Sequence, residues 1–138
     1  MEKIGLFEWI LDFEDFRYVL ESENRRRGIN IELASALVLG CGTSTLSLSV
    51  ADMGYSAVVS IDNDEGCVKY MSTRPFPQKN LYWLKYDLAE PHRYQAASYL
   101  IDDRFSLIID KGTLDAILVE GSVSTTLSEI HRMLHFEG

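Results

Sequence analysis

Four short apolar runs, each followed by a glycine or an aspartate, constrain the fold of this chain more than any other feature. The runs and the residues after them are ALVL at 36–39 with Gly40, AVVSI at 57–61 with Asp62, LYWLKY at 81–86 with Asp87, and FSLII at 105–109 with Asp110. Wholly apolar runs are typical of strands buried on both faces of a parallel sheet. The polar residues that follow the strands are then expected at one edge of that sheet, where α/β proteins bind ligands.

Segments with helical spacing lie between the predicted strands. They cover residues 12–23, 44–54, 64–73, 93–101, 113–119 and 123–135. The alternation of strand and helix predicts an α/β fold with right-handed crossovers. The first helix is expected to carry Val19 and Leu20 on its apolar face, and Gly28 after an arginine run predicts its end.

The glycine turn after the first predicted strand and the acid after the second form a candidate ligand site. The turn contains Gly40 and Gly42, and Asp62 follows Gly42 by 20 residues. Glycines allow a ligand to approach the backbone closely, and an acid at this distance is placed to accept the hydroxyls of a ribose. Asp87 can accept from an adenine amino group in the same way. Both aspartates also have a purely structural alternative, as helix caps or loop residues.

Several other nucleotide and catalytic motifs are incomplete or missing. The nicotinamide dinucleotide fingerprint needs a third glycine where this chain has Thr45. Neither a phosphate-binding P-loop nor a nucleophile elbow is present in the sequence. His131 and His135 share a helix face but have no third ligand nearby, so we expect no metal site.

The charge of the chain bears on its partners. Lys and Arg number 13 against 21 Asp and Glu, a formal net charge of −8. An acidic protein is a poor general binder of nucleic acid, but it can attract a basic protein partner. No segment approaches the roughly 20 apolar residues that cross a bilayer. With two cysteines only, a cytoplasmic location is expected, without membrane binding.

Four segments together resemble a known family. They are LVLGCGTSTLS beginning at Leu37, SIDND at 60–64, LKYDL at 84–88 and IIDKGTLDAI at 108–117. In this order they are similar to class I S-adenosylmethionine-dependent methyltransferases, and most of all to the group that includes lysine methyltransferases of translation elongation factor. The segment FEWILDFEDFRYVL at 7–20 is similar to the N-terminal part of that group. The resemblance implies a Rossmann-like fold, S-adenosylmethionine as cofactor and a protein lysine as methyl acceptor.

The resemblance also implies roles for individual residues. For the cofactor these are Gly40, Cys41 and Gly42 under the methionine part, Asp62 on the ribose with Asn63 beside the adenine, Asp87 and Leu88 on the adenine edge, Asp110 at the methyl-transfer end, and Trp9 as a cover. Asp110 and Asp115 are the acids expected to assist catalysis. The acid that many class I enzymes carry two residues before the first glycine is replaced by Val38.

The organisation expected from these arguments is one domain, with an N-terminal helical segment at 1–30 and a cofactor-binding α/β core at 31–138. The segment HRMLHFEG at the end resembles the approach to the family's fifth strand, so the chain is expected to lack the last strands of the fold. FSLII is too apolar for a bare sheet edge, and a second chain pairing with it is one solution. Two other functions stay open: a non-catalytic cofactor-binding partner domain, and a nicotinamide-dependent oxidoreductase.

Overall fold

The computed structural model describes residues 13–42, 44–90, 104–110, 113 and 123–134. The helices and strands within these ranges are α1 (Phe13–Arg27), a short 3-10 helix (Ile31–Leu33), β1 (Ser35–Leu39), α2 (Leu46–Asp52), β2 (Ala57–Asp62), α3 (Glu65–Ser72), β3 (Leu81–Lys85), β4 (Leu107–Asp110) and α4 (Val123–Met133). The predicted helices at 93–101 and 113–119 lie outside this description, apart from Thr113.

The four strands form one parallel sheet in the order β3-β2-β1-β4. Leu39, the last residue of β1, pairs with Ile61 on one side and with Asp110 on the other. On the far side of β2, Asp62 pairs with Lys85. The prediction of a parallel Rossmann-like sheet with flanking helices is confirmed, and the carboxyl ends of all four strands meet at one edge.

Both faces of the sheet are covered, which is why the central strands are apolar throughout. All five residues of β1 are buried. Ala36 and Val38 belong to one hydrophobic cluster, whereas Leu37 and Leu39 belong to a second one. Successive side chains of a strand point to opposite faces, so the two clusters are the two layers that cover the sheet.

The first helix ends as predicted but presents a different face. Gly28 has a φ of +66°, and its N–H donates to the Arg25 carbonyl while the N–H of Ile29 donates to that of Asn24. This pair of bonds is the Schellman ending, which needs a residue in the left-handed region. Leu20 packs against the core, but Val19 is 59% exposed, contrary to the expected apolar face.

Hydrogen bonds shorten two elements relative to their predicted ranges. The N–H of Leu46 donates to Ser44 Oγ, so α2 begins at Leu46 rather than at residue 44. The fourth strand begins at Leu107 rather than at residue 105, and Phe105 instead forms an isolated bridge with Leu134. Ser106 N–H donates to the Ser35 carbonyl beside β1, whereas Phe105 N–H donates to the Met133 carbonyl, on the side away from β1.

Candidate functional site

The glycine turn after β1 lies at the edge where the strands end. Gly40 and Gly42 both adopt positive φ, at +61° and +49°. A Cβ added to Gly40 would lie 1.6 Å from Thr113 Oγ1, but one added to Gly42 would meet no heavy atom of the described residues within 4 Å. Thr113, three residues after the end of β4, therefore packs directly on the first glycine, whereas no described residue packs on the second. Thr43 lies outside the described residues.

Asp62, the predicted ribose ligand, is half-buried and bonded to the glycine turn. Its Oδ2 accepts the N–H of Gly42 at 2.9 Å, and its Oδ1 accepts the N–H of Asp64 at 2.8 Å. The alternative reading of Asp62 as the cap of α3 is wrong, since Asp64 does this. Asp64 Oδ1 accepts the N–H groups of Gly66 and Cys67 at the first turn of α3.

Asp87 and Leu88 follow β3 at the same edge. The N–H of Tyr86 donates to the Asp62 carbonyl at 3.0 Å, which holds the end of β3 beside the end of β2. Asp87 Oδ1 accepts the N–H of Ala89 at 2.9 Å, so its carboxylate also shapes its own loop. Leu88 is buried in the second hydrophobic cluster, and Asn63 is exposed.

A polar network that the sequence does not predict joins this edge to α4. Tyr86 is buried, and its hydroxyl donates to Glu129 Oε1 at 2.6 Å. The guanidinium of Arg132 donates to both carboxylate oxygens of Glu129 at 3.0 Å. Burial and the bond to Glu129 raise the pKa of Tyr86, so its hydroxyl stays a donor at neutral pH. Glu129 is 43 residues from Tyr86, and no local pattern links them.

Asp110 closes the site at the end of β4. Its Oδ1 accepts the N–H of Thr113 at 2.8 Å, a turn that brings Thr113 onto Gly40. The carboxylate itself is exposed. Of the other predicted site residues, Trp9 and Asp115 lie outside the described residues.

Cys41 has a structural place in the glycine turn. It is 3% exposed, and its N–H donates to the Ile61 carbonyl as the last rung between β1 and β2. Burial, followed by the charge of Asp62, raises the pKa of Cys41 to about 12. A thiol with this pKa is protonated at neutral pH and is a poor nucleophile.

The described ranges also bear on metal binding and on crossing a membrane. They hold no group of three or more His, Cys, Asp or Glu side chains that could bind a metal ion. No helix within them is both long and apolar enough to span a bilayer.

Two curated proteins are similar in sequence to most of this chain. An eEF1A lysine and N-terminal methyltransferase from Bos taurus is 33% identical over 129 residues, which are 93% of this chain and 16% of that protein. EEF1A lysine methyltransferase 4 from the same species is 33% identical over 140 residues, covering 93% of this chain and 50% of the relative. The chain thus spans at most about half the length of these curated relatives. No family model matches it.

Solved structures settle the fold. An S-adenosylmethionine-dependent methyltransferase from Mesorhizobium loti superimposes with a TM-score of 0.61 at 19% identity, covering 86% of this chain and 49% of that structure. This chain has the methyltransferase fold. The resemblance predicted from the sequence motifs is confirmed by the named relatives and by this methyltransferase-fold neighbour.

Proposed function

We propose that this methyltransferase-fold chain binds S-adenosylmethionine and belongs to an enzyme that transfers a methyl group to a protein lysine. The observation that carries the proposal is the contact between the glycine turn and the acid after β2, where Gly42 N–H meets Asp62 Oδ2 at 2.9 Å. The relatives named above support the choice of a lysine, because their names describe lysine methylation of eEF1A.

The residues at the strand ends fit the proposed cofactor. Gly42 has open space where a side chain would stand, which suits close approach of a ligand. Asp62 is half-buried, and a carboxylate with two accepted bonds has room for about two more, enough for a ribose diol. Leu88 and Asp87 supply an apolar surface and an acceptor for the adenine. Trp9 remains the proposed cover.

The proposed reaction needs positioning more than acid–base chemistry. Held by the glycine turn and Asp62, S-adenosylmethionine would supply an electrophilic methyl carbon for a neutral lysine nitrogen, with S-adenosylhomocysteine as the leaving product. A lysine ammonium has no lone pair, so the site must first accept its proton. Asp110 and Asp115 are the proposed acceptors. The bond from Thr113 N–H to Asp110 Oδ1, together with the contact of Thr113 on Gly40, supports this role because it ties Asp110 to the glycine turn.

Calorimetric titration tests the cofactor. We expect S-adenosylhomocysteine to bind and NAD not to bind. Asp62→Ala is expected to weaken binding at least roughly tenfold, because charged hydrogen bonds contribute about 1.5–3 kcal/mol each. Asp52→Ala is the matched control, since Asp52 ends α2 and bonds Gln78 away from the strand ends. Binding of NAD alone would identify an oxidoreductase instead.

Activity is tested separately from binding. The protein is incubated with methyl-labelled cofactor and purified eEF1A, and labelled lysines are located by mass spectrometry. Label on a lysine supports the proposed reaction. Tight binding of S-adenosylhomocysteine without label on any protein of a cell lysate would make the chain a non-catalytic cofactor-binding partner.

We also propose an organisation and a setting for this domain. Residues 1–30 form its helical N-terminal segment and 31–138 its core, which is supported by the packing of Leu20 and Ile29 against the core. A protein partner, rather than nucleic acid or membrane, is supported by the net charge of −8, and the proposed cytoplasmic location by the presence of only two cysteines. The outer edge of β4 is proposed to pair with another chain. Just before β4, on this side, the N–H of Phe105 donates to the Met133 carbonyl. A monomer by light scattering at high concentration would exclude this pairing.

A further inference from the structure

The side chain of Asp62 connects two separate parts of the site, the glycine turn and the start of α3. One oxygen of its carboxylate accepts the N–H of Gly42 in the turn after β1, and the other accepts the N–H of Asp64 at the start of α3. Both distances are below 3.0 Å, as expected when the acceptor is charged. One side chain therefore spans the gap between β1 and α3.

The bond to Gly42 continues the sheet with a side chain in place of a strand. The main-chain ladder between β1 and β2 ends where Cys41 N–H donates to the Ile61 carbonyl at 3.1 Å. The next N–H in the chain belongs to Gly42, which has left the strand with a φ of +49°. The carboxylate of Asp62 accepts this N–H, so it holds the turn at the point where the backbone ladder stops.

The two glycines differ in what lies at their Cβ positions. Among the described residues no heavy atom lies within 4 Å of the Cβ position of Gly42, whereas at Gly40 that position is filled by Thr113. The first glycine is thus fixed by packing. The second is fixed by a hydrogen bond, and its open side is the proposed place of the methionine part of the cofactor.

We propose that Asp62 is a positioning residue for the glycine turn in addition to its proposed role as ribose ligand. The inference rests on the proposed function, because it concerns how the same cofactor is held. A carboxylate has about four acceptor positions, and the two bonds to Gly42 and Asp64 leave about two for the ribose hydroxyls. Asp62 can therefore serve both roles at once, and the turn is set before the ligand arrives.

The test compares two ligands on Asp62→Asn. Adenosine carries the ribose and adenine but no methionine part, whereas S-adenosylhomocysteine carries all three. Gly42 and Asp64 donate to different oxygens of Asp62, and asparagine replaces one of these oxygens by an NH2 group, which cannot accept. We expect S-adenosylhomocysteine to lose roughly threefold to tenfold more affinity than adenosine, the worth of about one hydrogen bond in the turn.

Asp87→Asn is the matched control, with the same chemical change at the same edge. The Asp87 carboxylate accepts from Ala89 in its own loop, away from the glycine turn. Adenosine and S-adenosylhomocysteine are expected to lose affinity by equal factors in this variant. Amide hydrogen exchange provides a second readout, because Gly42 N–H should exchange faster in Asp62→Asn and unchanged in Asp87→Asn.

The outcomes separate the inference from the function on which it rests. If the unaltered protein binds neither adenosine nor S-adenosylhomocysteine, the proposed function fails. If both bind and Asp62→Asn weakens them equally, Asp62 is a ribose ligand alone and the positioning role is overturned. If Asp62→Asn does not fold, Asp62→Glu allows the same comparison. Glutamate keeps the negative charge, but its longer side chain moves the carboxylate away from its present position at the Gly42 N–H. An unequal loss supports the inference there, and an equal loss overturns it.

Discussion

At the scale of single residues, the two glycines of the turn differ in what surrounds them. Both Gly40 and Gly42 have positive φ, so an alanine at either position costs about 1–2 kcal/mol in backbone strain. At Gly40 the new methyl would also collide with Thr113 Oγ1. Overpacking of this kind adds roughly 1–3 kcal/mol. We expect Gly40→Ala to lower the free energy of unfolding by clearly more than Gly42→Ala, as measured by urea denaturation.

A second substitution shows whether Thr113 is the cause. Thr113→Ala removes the hydroxyl that the Gly40 methyl would meet, so it should recover part of the stability lost in Gly40→Ala. The same change in the Gly42→Ala background should recover nothing. Equal stability of the two single glycine variants would contradict the packing of Thr113 on the turn.

A buried pair of hydroxyls gives another prediction for individual residues. Ser47 of α2 and Ser60 of β2 are buried, with their oxygens 2.6 Å apart. Ser60→Ala leaves the Ser47 hydroxyl without this partner, which is expected to cost about 1–3 kcal/mol. Replacing both serines by alanine should cost less than the sum of the two single changes. Denaturation of the three variants measures this, and simple additivity would show that the hydroxyls do not interact.

The sequence predicts which residues lie at the ends of the strands, but it does not predict the contacts that these residues make with one another. Asp62 was expected near a ribose because it ends a strand 20 residues after Gly42. Its bond to the Gly42 N–H depends on the register of β1 against β2, which no sequence pattern specifies. The contact of Thr113 with Gly40 depends in the same way on how β4 lies against β1.

At the scale of elements, α4 is connected to the end of β3 through Glu129. Its carboxylate accepts from buried Tyr86 and from Arg132. Tyr86→Phe removes a hydrogen bond to a carboxylate and is expected to cost about 1.5–3 kcal/mol of unfolding free energy. Glu129→Ala removes the acceptor that both residues use, so it should cost more. Arg26→Ala is the control, because the Arg26–Glu23 pair on α1 is exposed and surface ion pairs add little to stability.

Thermal and urea unfolding of these variants provide the measurement. If Glu129→Ala were no more destabilising than Arg26→Ala, the network would not support the packing of α4. The existence of α4 itself was predictable from helical spacing. Its contact with β3 was not, since Glu129 reads as an ordinary surface acid on a helix. The Schellman ending of α1 was predictable, because Gly28 and the bonds that it closes are local in sequence.

At the scale of the whole molecule, the alternation of apolar runs and helices was enough to predict a parallel α/β sheet. The strand order β3-β2-β1-β4 was not derivable from periodicity, since it depends on which way each crossover turns. The chain places β2 and β3 on one side of β1 and β4 on its other side. The glycine turn after β1 therefore lies between the ends of β2 and β4. Both Asp62 and Asp110 thereby lie beside the turn, although they are far apart in sequence.

Burial of weak acids next to the strands makes the free energy of unfolding depend on pH in the alkaline range. Burial raises the pKa of Cys41 from 9.0 to about 12, and it raises the pKa values of Tyr55 and Tyr86 as well. Above pH 9 the unfolded chain releases the Cys41 proton while the folded chain keeps it. The unfolded state then binds fewer protons, so the free energy of unfolding falls as pH rises from about 9 towards 12.

Urea denaturation from pH 8 to 10.5 measures this slope. Cys41→Ala removes one of the acids and should make the decline with pH shallower, even if it lowers stability at pH 8. Cys67→Ala is the control, since its thiol is only half-buried. A decline of the same steepness in Cys41→Ala as in the unaltered protein would show that the thiol under the glycine turn is not held in its neutral form by burial.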